Sequence, residues 1–163
     1  MAGDKWIAPP CLPLLAPLTI TGPNGSGQLF TPYASPAAID IGTVMRVRAH
    51  GVITTTGTPT LTVTLGALLD TYSIAAAAPT NAAGQTWTIE FSETLQSIGP
   101  FGWNVARYVK IAGLTGTAVE ASSVITFATP PTSPTIDCTI FWSSGADAGD
   151  IVTMHNAYAE WSG

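Results

Sequence analysis

The chain has 163 residues and a net charge of −5 at neutral pH, and only 9% of its residues are Asp, Glu, Lys or Arg. A soluble domain ordinarily carries about a quarter, so this surface must consist of Thr, Ser, Ala, Gly, Asn and Pro, which cost little to strip of water. The basic residues Lys5, Arg46, Arg48, Arg107 and Lys110 are too few for the basic stripe of a nucleic-acid binder, and no stretch approaches the roughly 20 apolar residues of a membrane span.

The start of the chain, with Asp4 offsetting Lys5 and prolines interrupting the apolar residues that follow, does not read as a cleaved signal, so synthesis in the cytoplasm is expected. Residues 1–38 hold Pro9, Pro10, Pro13, Pro17, Pro23, Pro32 and Pro36 and a Gly-rich turn from Gly22 to Gly27. Proline fixes φ and removes a backbone donor, which disfavours helix and central strand. Trp6, Ile7, Leu12, Leu14, Leu15 and Leu18 are nevertheless too apolar for a solvated linker. The segment reads as an extended arm lying in a groove, on its own body or on a neighbour. A stiff arm loses little entropy on docking.

From residue 39 onward the period is two. Met45, Val47 and Ala49 alternate with Val44, Arg46, Arg48 and His50. After a turn at Gly57 to Pro59, Leu61, Val63 and Leu65 alternate with threonines, and Tyr72 and Ile74 mark a short strand. Trp87, Ile89 and Phe91 alternate with Thr86, Thr88 and Glu90. Residues 105–112 set Val105, Arg107, Val109 and Ile111 against Ala106, Tyr108 and Lys110, and a strand follows around Val124–Phe127. Ile136, Cys138, Ile140 and Trp142 share a face. In the last strand Met154, Asn156, Tyr158 and Glu160 alternate with His155, Ala157, Ala159 and Trp161. About eight strands separated by Gly/Pro turns predict an all-β protein, a jelly-roll β-sandwich over 39–163 preceded by the extended Pro-rich arm.

Chemistry is sparse. His50 and His155 can meet only if their strands are neighbours, and a metal would need further ligands, so each reads as a strand residue with a hydrogen-bond partner. Glu90 and Glu93, at an odd offset, fall on opposite faces of a strand. Asp147 and Asp150 lie in a Gly/Ala-rich loop that reads as a solvated turn, because Ca²⁺ needs more acidic ligands. Cys11 and Cys138 fit no zinc motif and read as buried thiols, with a single bridge as the alternative. Trp87 and Trp142 read as core, whereas Trp103 falls in a Gly/Pro connection. No catalytic motif is present; neither an enzyme nor a cofactor or metal site is expected.

The runs Gly42-Thr-Val-Met-Arg-Val-Arg-Ala-His-Gly51, Thr56-Gly-Thr-Pro-Thr-Leu-Thr-Val-Thr-Leu65, Trp87-Thr-Ile-Glu-Phe91 and Asn156-Ala-Tyr-Ala-Glu-Trp161 resemble small structural proteins of tailed bacteriophages. These are the capsid decoration (cement) proteins, whose jelly-roll body is similar to the tumour-necrosis-factor fold. The resemblance implies a homotrimer on the outer capsid surface of a virion, with the phage major capsid protein as partner and no nucleic acid or membrane contact. Trp6, Ile7, Leu12, Leu14, Leu15 and Leu18 are then the candidate capsid contacts of the arm. Arg46, Arg48, His50, Trp103, Tyr108, His155 and Trp161 are the candidates for the subunit interface. Deleting residues 1–20 is expected to abolish capsid binding and leave the trimer folded. The competing reading is a tail- or fibre-associated receptor or glycan binder with a pocket around Trp103, Tyr33 and Asp147. A jelly-roll metalloenzyme would need clustered ligands that two histidines do not supply.

Overall fold

The computed structural model describes residues 17–28, 33–34, 40–66, 71–99, 102–128 and 135–162. Their strands are β1 (Leu18–Thr21), β2 (Ser26–Gln28), β3 (Tyr33–Ala34), β4 (Val44–Thr54), β5 (Thr60–Gly66), β6 (Thr71–Ala77), β7 (Gln85–Gly99), β8 (Gly102–Ala112), β9 (Val119–Phe127), β10 (Thr135–Ser144) and β11 (Ile151–Ser162). A six-stranded sheet runs β1-β11-β4-β7-β8-β9, and a five-stranded sheet runs β2-β10-β5-β6 with β3 paired to β10.

The pairings are nested. β5 pairs with β6, β4 with β7, β2 with β10 and β1 with β11, all antiparallel. The chain is thus one long ribbon, turned back on itself at β5–β6 and rolled so that successive pairs fall alternately in the two sheets. That is a jelly roll. The β8–β9 hairpin, inserted between β7 and β10, widens the large sheet.

The strands expected from residue 39 onward all form, as β4 to β11. Two strands of the roll itself, β1 and β2, come instead from within 1–38, while β8 and β9 lie outside the nested pairs. The prolines are respected: β1 and β2 are short, and each stands at an edge with one partner, where a missing N–H costs nothing.

Alternation builds the core. On β4 the pattern runs strictly buried and exposed, with Met45, Val47 and Ala49 inward. They meet Trp87, Ile89 and Phe91 of β7, Leu61, Val63 and Leu65 of β5, and Cys138, Ile140 and Trp142 of β10. Burying each large apolar side chain contributes about 1.5–3 kcal/mol. Trp87 and Trp142 are core residues, as their alternation predicts. Trp103 is not in a loop: it lies in β8, half-buried against the core.

Two polar features break the apolar interior. Arg107 Nε donates to Glu93 Oε1 at 2.7 Å between the sheets, with the guanidinium 5.8 Å from the Tyr72 ring and 5.9 Å from that of Phe91. The odd spacing indeed sends Glu93 inward and Glu90 outward. Buried Thr55 ties the β4–β5 turn to the loop before β7: its hydroxyl donates to the Pro79 carbonyl and accepts the Ala82 N–H at 2.8 Å.

The last strand departs from simple alternation. A β-bulge after Met154 adds one residue to β11, so Met154 joins Ala157 and Ala159 in the core while His155 is exposed. The expected faces of Met154 and His155 are therefore exchanged, because a bulge shifts the period by one. Gly51 stands opposite. A Cβ there would lie 1.9 Å from the Thr153 carbonyl oxygen and 2.8 Å from the Trp87 ring, so only glycine fits beside the bulge.

Candidate functional site

The outer face of the large sheet gathers the described charged side chains of its strands, apart from the buried Glu93–Arg107 pair. The register aligns Tyr158, Arg48, Glu90, Lys110 and Glu120 in one row across β11, β4, β7, β8 and β9. Glu160, Arg46, Ser92, Tyr108 and Ser122 form the adjacent row. Arg46 Nη1 lies 3.2 Å from Glu160 Oε1, Arg48 Nη1 donates to Tyr158 Oη at 3.1 Å, and Lys110 Nζ lies 3.9 Å from Glu120 Oε2. Tyr108 Oη donates to Glu120 Oε1 at 3.0 Å. Desolvation, then this bond to a carboxylate, raises the Tyr108 hydroxyl above the usual phenol range. Exposed pairs of this kind contribute about 0–1 kcal/mol each, so their main effect is to fix which charge stands where.

All the glutamates of the sequence, Glu90, Glu93, Glu120 and Glu160, lie on this sheet beside a basic residue. The acidic excess of the chain therefore resides in its aspartates, and the sheet itself is electrically balanced. Tyr108 divides the outer face. On one side is a shallow depression of about 430 Å³ lined by Ser92, Thr94, Ala106, Ser122 and Val124. On the other is a smaller one of about 110 Å³ between Arg46, Arg48 and Glu90.

The outer face of the small sheet is of another kind. Thr60, Thr62 and Thr64 of β5, Thr71, Ser73 and Ala75 of β6, Thr139 and Phe141 of β10, and Ser26 and Gln28 of β2 alternate with the inward residues. Among its described side chains none is charged. Thr64 and Ser73 share a hydrogen bond of 3.3 Å.

Arg46, Arg48, His50, Tyr108 and His155 are brought together on the outer face of the large sheet. Trp103 is not among them: it opens β8 opposite Ile98, against the core. Trp161 pairs with Met45 through its backbone, and its side chain lies outside the described residues. So do Trp6, Ile7, Leu12, Leu14 and Leu15. Leu18 pairs with Met154 and is half-buried against the core. Sequence reasoning passed over Glu90, Lys110, Glu120, Tyr158 and Glu160 as members of this face. Their signal was alternation, but only the strand order places them in rows.

The pocket imagined around Trp103, Tyr33 and Asp147 does not assemble. Trp103 lies at the end of the large sheet where β4 begins, whereas Asp147 lies in the β10–β11 loop at the opposite end, beside Thr56. That loop is a latch, not a solvated turn. Asp150 is 1% exposed, and its carboxylate accepts the Thr56 N–H at 2.8 Å and the Asp147 N–H at 2.7 Å. The Thr56 hydroxyl, then the Gly149 amide, hold the Asp147 carboxyl below the usual range.

The sequence matches no protein-family model and no curated protein. Among solved structures, arcelin-5, a lectin-like defence protein from Phaseolus vulgaris, superposes with a TM-score of 0.46 at 8% identity, covering 89% of this chain and 86% of that one. The winged bean acidic lectin complexed with methyl-α-D-galactose gives 0.43 at 10% identity over 85% and 79%. The structure of infectious bursal disease virus Gt strain gives 0.29 at 19% identity over 90% of this chain and 32% of that chain. These scores lie below the range in which a common function follows, so the functional reading stands on the faces of the sandwich.

Proposed function

We propose that the chain is a structural protein of a phage virion that decorates and stabilises the capsid as a homotrimer, with its N-terminal arm on neighbouring major capsid protein subunits. The observation that carries this reading is the placement of charge. One broad face balances its charges internally and the other displays none among its described side chains, so both can be covered by protein at little desolvation cost. Arg46, Arg48 and Tyr108 form the subunit interface in this reading, with His50 and His155 at its solvent-open rim. Pro17 leads into β1, which β11 holds, so the apolar residues before it are tethered at one edge of the large sheet. A protein that binds assembled capsid and not free subunits stabilises the assembly by mass action, and three tethered arms gain avidity from weak single contacts.

The structure moves the informative truncation. Removing residues 1–20 would take away most of β1, including Ile20, which is 3% exposed. Removing residues 1–16 spares the whole of β1. The truncated chain is expected to keep a mass three times that of its own shortened chain by light scattering and to lose binding to undecorated capsids. Normal decoration by the truncated chain would sink the role of the arm; a monomeric full-length chain would sink the trimer.

The depression beside Tyr108 favours a second reading, a tail- or fibre-associated receptor or glycan binder with the ring as stacking platform. A glycan array separates the two, since a decoration protein should be silent on it.

A further inference from the structure

We propose that His50 and His155 form a two-imidazole chelating site for a borderline divalent transition metal, Cu²⁺, Ni²⁺ or Zn²⁺, on the outer face of the large sheet. The bulge creates the pair. Met154 pairs with Gly51 and Asn156 with His50, so His155 is the additional residue, displaced toward the face that carries His50. Both side chains are exposed. Their ring centroids are 6.4 Å apart and the planes meet at 85°.

Two metal–nitrogen bonds of about 2.1 Å at a tetrahedral angle place imidazole centroids roughly 5 Å apart. The rings therefore need to close by about 1 Å, within the rotation of exposed side chains. The backbone beneath them is fixed, because Gly51 leaves room for nothing but the bulge. Imidazole suits these metals, with Cu²⁺ the tightest of the three. Asn156 and Thr88, which flank His50 in register on either side, are neutral neighbours. Among the described residues no third His, Cys, Asp or Glu joins the pair, so the site is open and its remaining positions go to water.

The site belongs to each chain by itself and does not rest on the proposed trimer. Its test is a titration of the full-length, tag-free protein with Cu²⁺ and with Ni²⁺, by calorimetry and by Cu²⁺ electron paramagnetic resonance. The expected result is one metal per chain with two nitrogen ligands. His50→Gln and His155→Gln should each weaken binding by at least about tenfold, because the second ligand binds intramolecularly; an unchanged thermal midpoint without metal shows that each variant folds. Wild-type binding no tighter than that of either variant, or two independent metals per chain, overturns the site. Light scattering on the same samples keeps the two ideas apart. A chelating monomer removes the trimer alone, and a trimer that takes up no metal removes the site alone.

Discussion

Across the outer face of the large sheet, Tyr158, Arg48, Glu90, Lys110 and Glu120 stand in one row; across that of the small sheet, Ser26, Phe141, Thr62 and Ala75 stand in another. Both faces come from the same two-residue alternation over one shared core. The first is a fixed pattern of opposite charges, which discriminates among surfaces packed against it. The second is hydroxyl-rich and carries no charge among its described side chains, so covering it would cost little desolvation. Selectivity and permissiveness are thus separated onto opposite sides of one small domain.

The largest break in this division comes from inside. Glu93→Gln deprives the buried Arg107 guanidinium of its carboxylate and should cost about 3–5 kcal/mol, read as a lower denaturant midpoint. Adding Arg107→Met should recover much of the loss, and a double variant as unstable as the single would show that the ion pair is not the cause. On the large sheet, Arg48→Glu sets like charges side by side with Glu90. It should destabilise by about 0.2–1 kcal/mol, and salt should relieve part of that. On the small sheet, Ala75→Lys should change stability by less than about 0.5 kcal/mol yet reduce capsid uptake if that face is covered on assembly. Undiminished uptake would leave the face in solvent.

The smallest effect concerns the latch at the end of the roll. The Asp147 carboxyl is held below its ordinary range, first by the Thr56 hydroxyl. Its folded pKa thus lies below the unfolded one, and its contribution is complete above the ordinary carboxylate range and lost as pH falls through the lowered folded value. Asp147→Asn should slightly lower stability at neutral pH, leave it nearly unchanged once pH lies below the lowered folded value, and so flatten the acid limb of a stability–pH curve. An acid limb identical to the wild type would show that the latch works through Asp150 alone.

Much of the core was legible because half-buried strands write their faces into the sequence. Met45-Val47-Ala49, Trp87-Ile89-Phe91 and Cys138-Ile140-Trp142 each point inward as their spacing demands. Legibility failed where a strand was only three or four residues long or took an irregular step. β1 and β2 are short edge strands among prolines, and too few residues alternate there to stand out. The bulge at His155 is a single inserted residue with no mark in composition; only Gly51, far away in the sequence, hints that the backbones come close. The rows on the outer face needed the strand order, which alternation does not contain.

The nesting of the ribbon bears on how the molecule is made. Leu18 pairs with Met154, so the outermost pair cannot close until residue 154 has left the ribosome. Folding should therefore begin at the local β5–β6 and β7–β8 hairpins and finish with β1 on β11, a late and slow step for so distant a pairing. The arm acquires its anchor only at that final step. In the proposed decoration role, a chain that stops short of β11 would have no anchored arm to offer a capsid, and the topology itself would act as a proofreading device for synthesis.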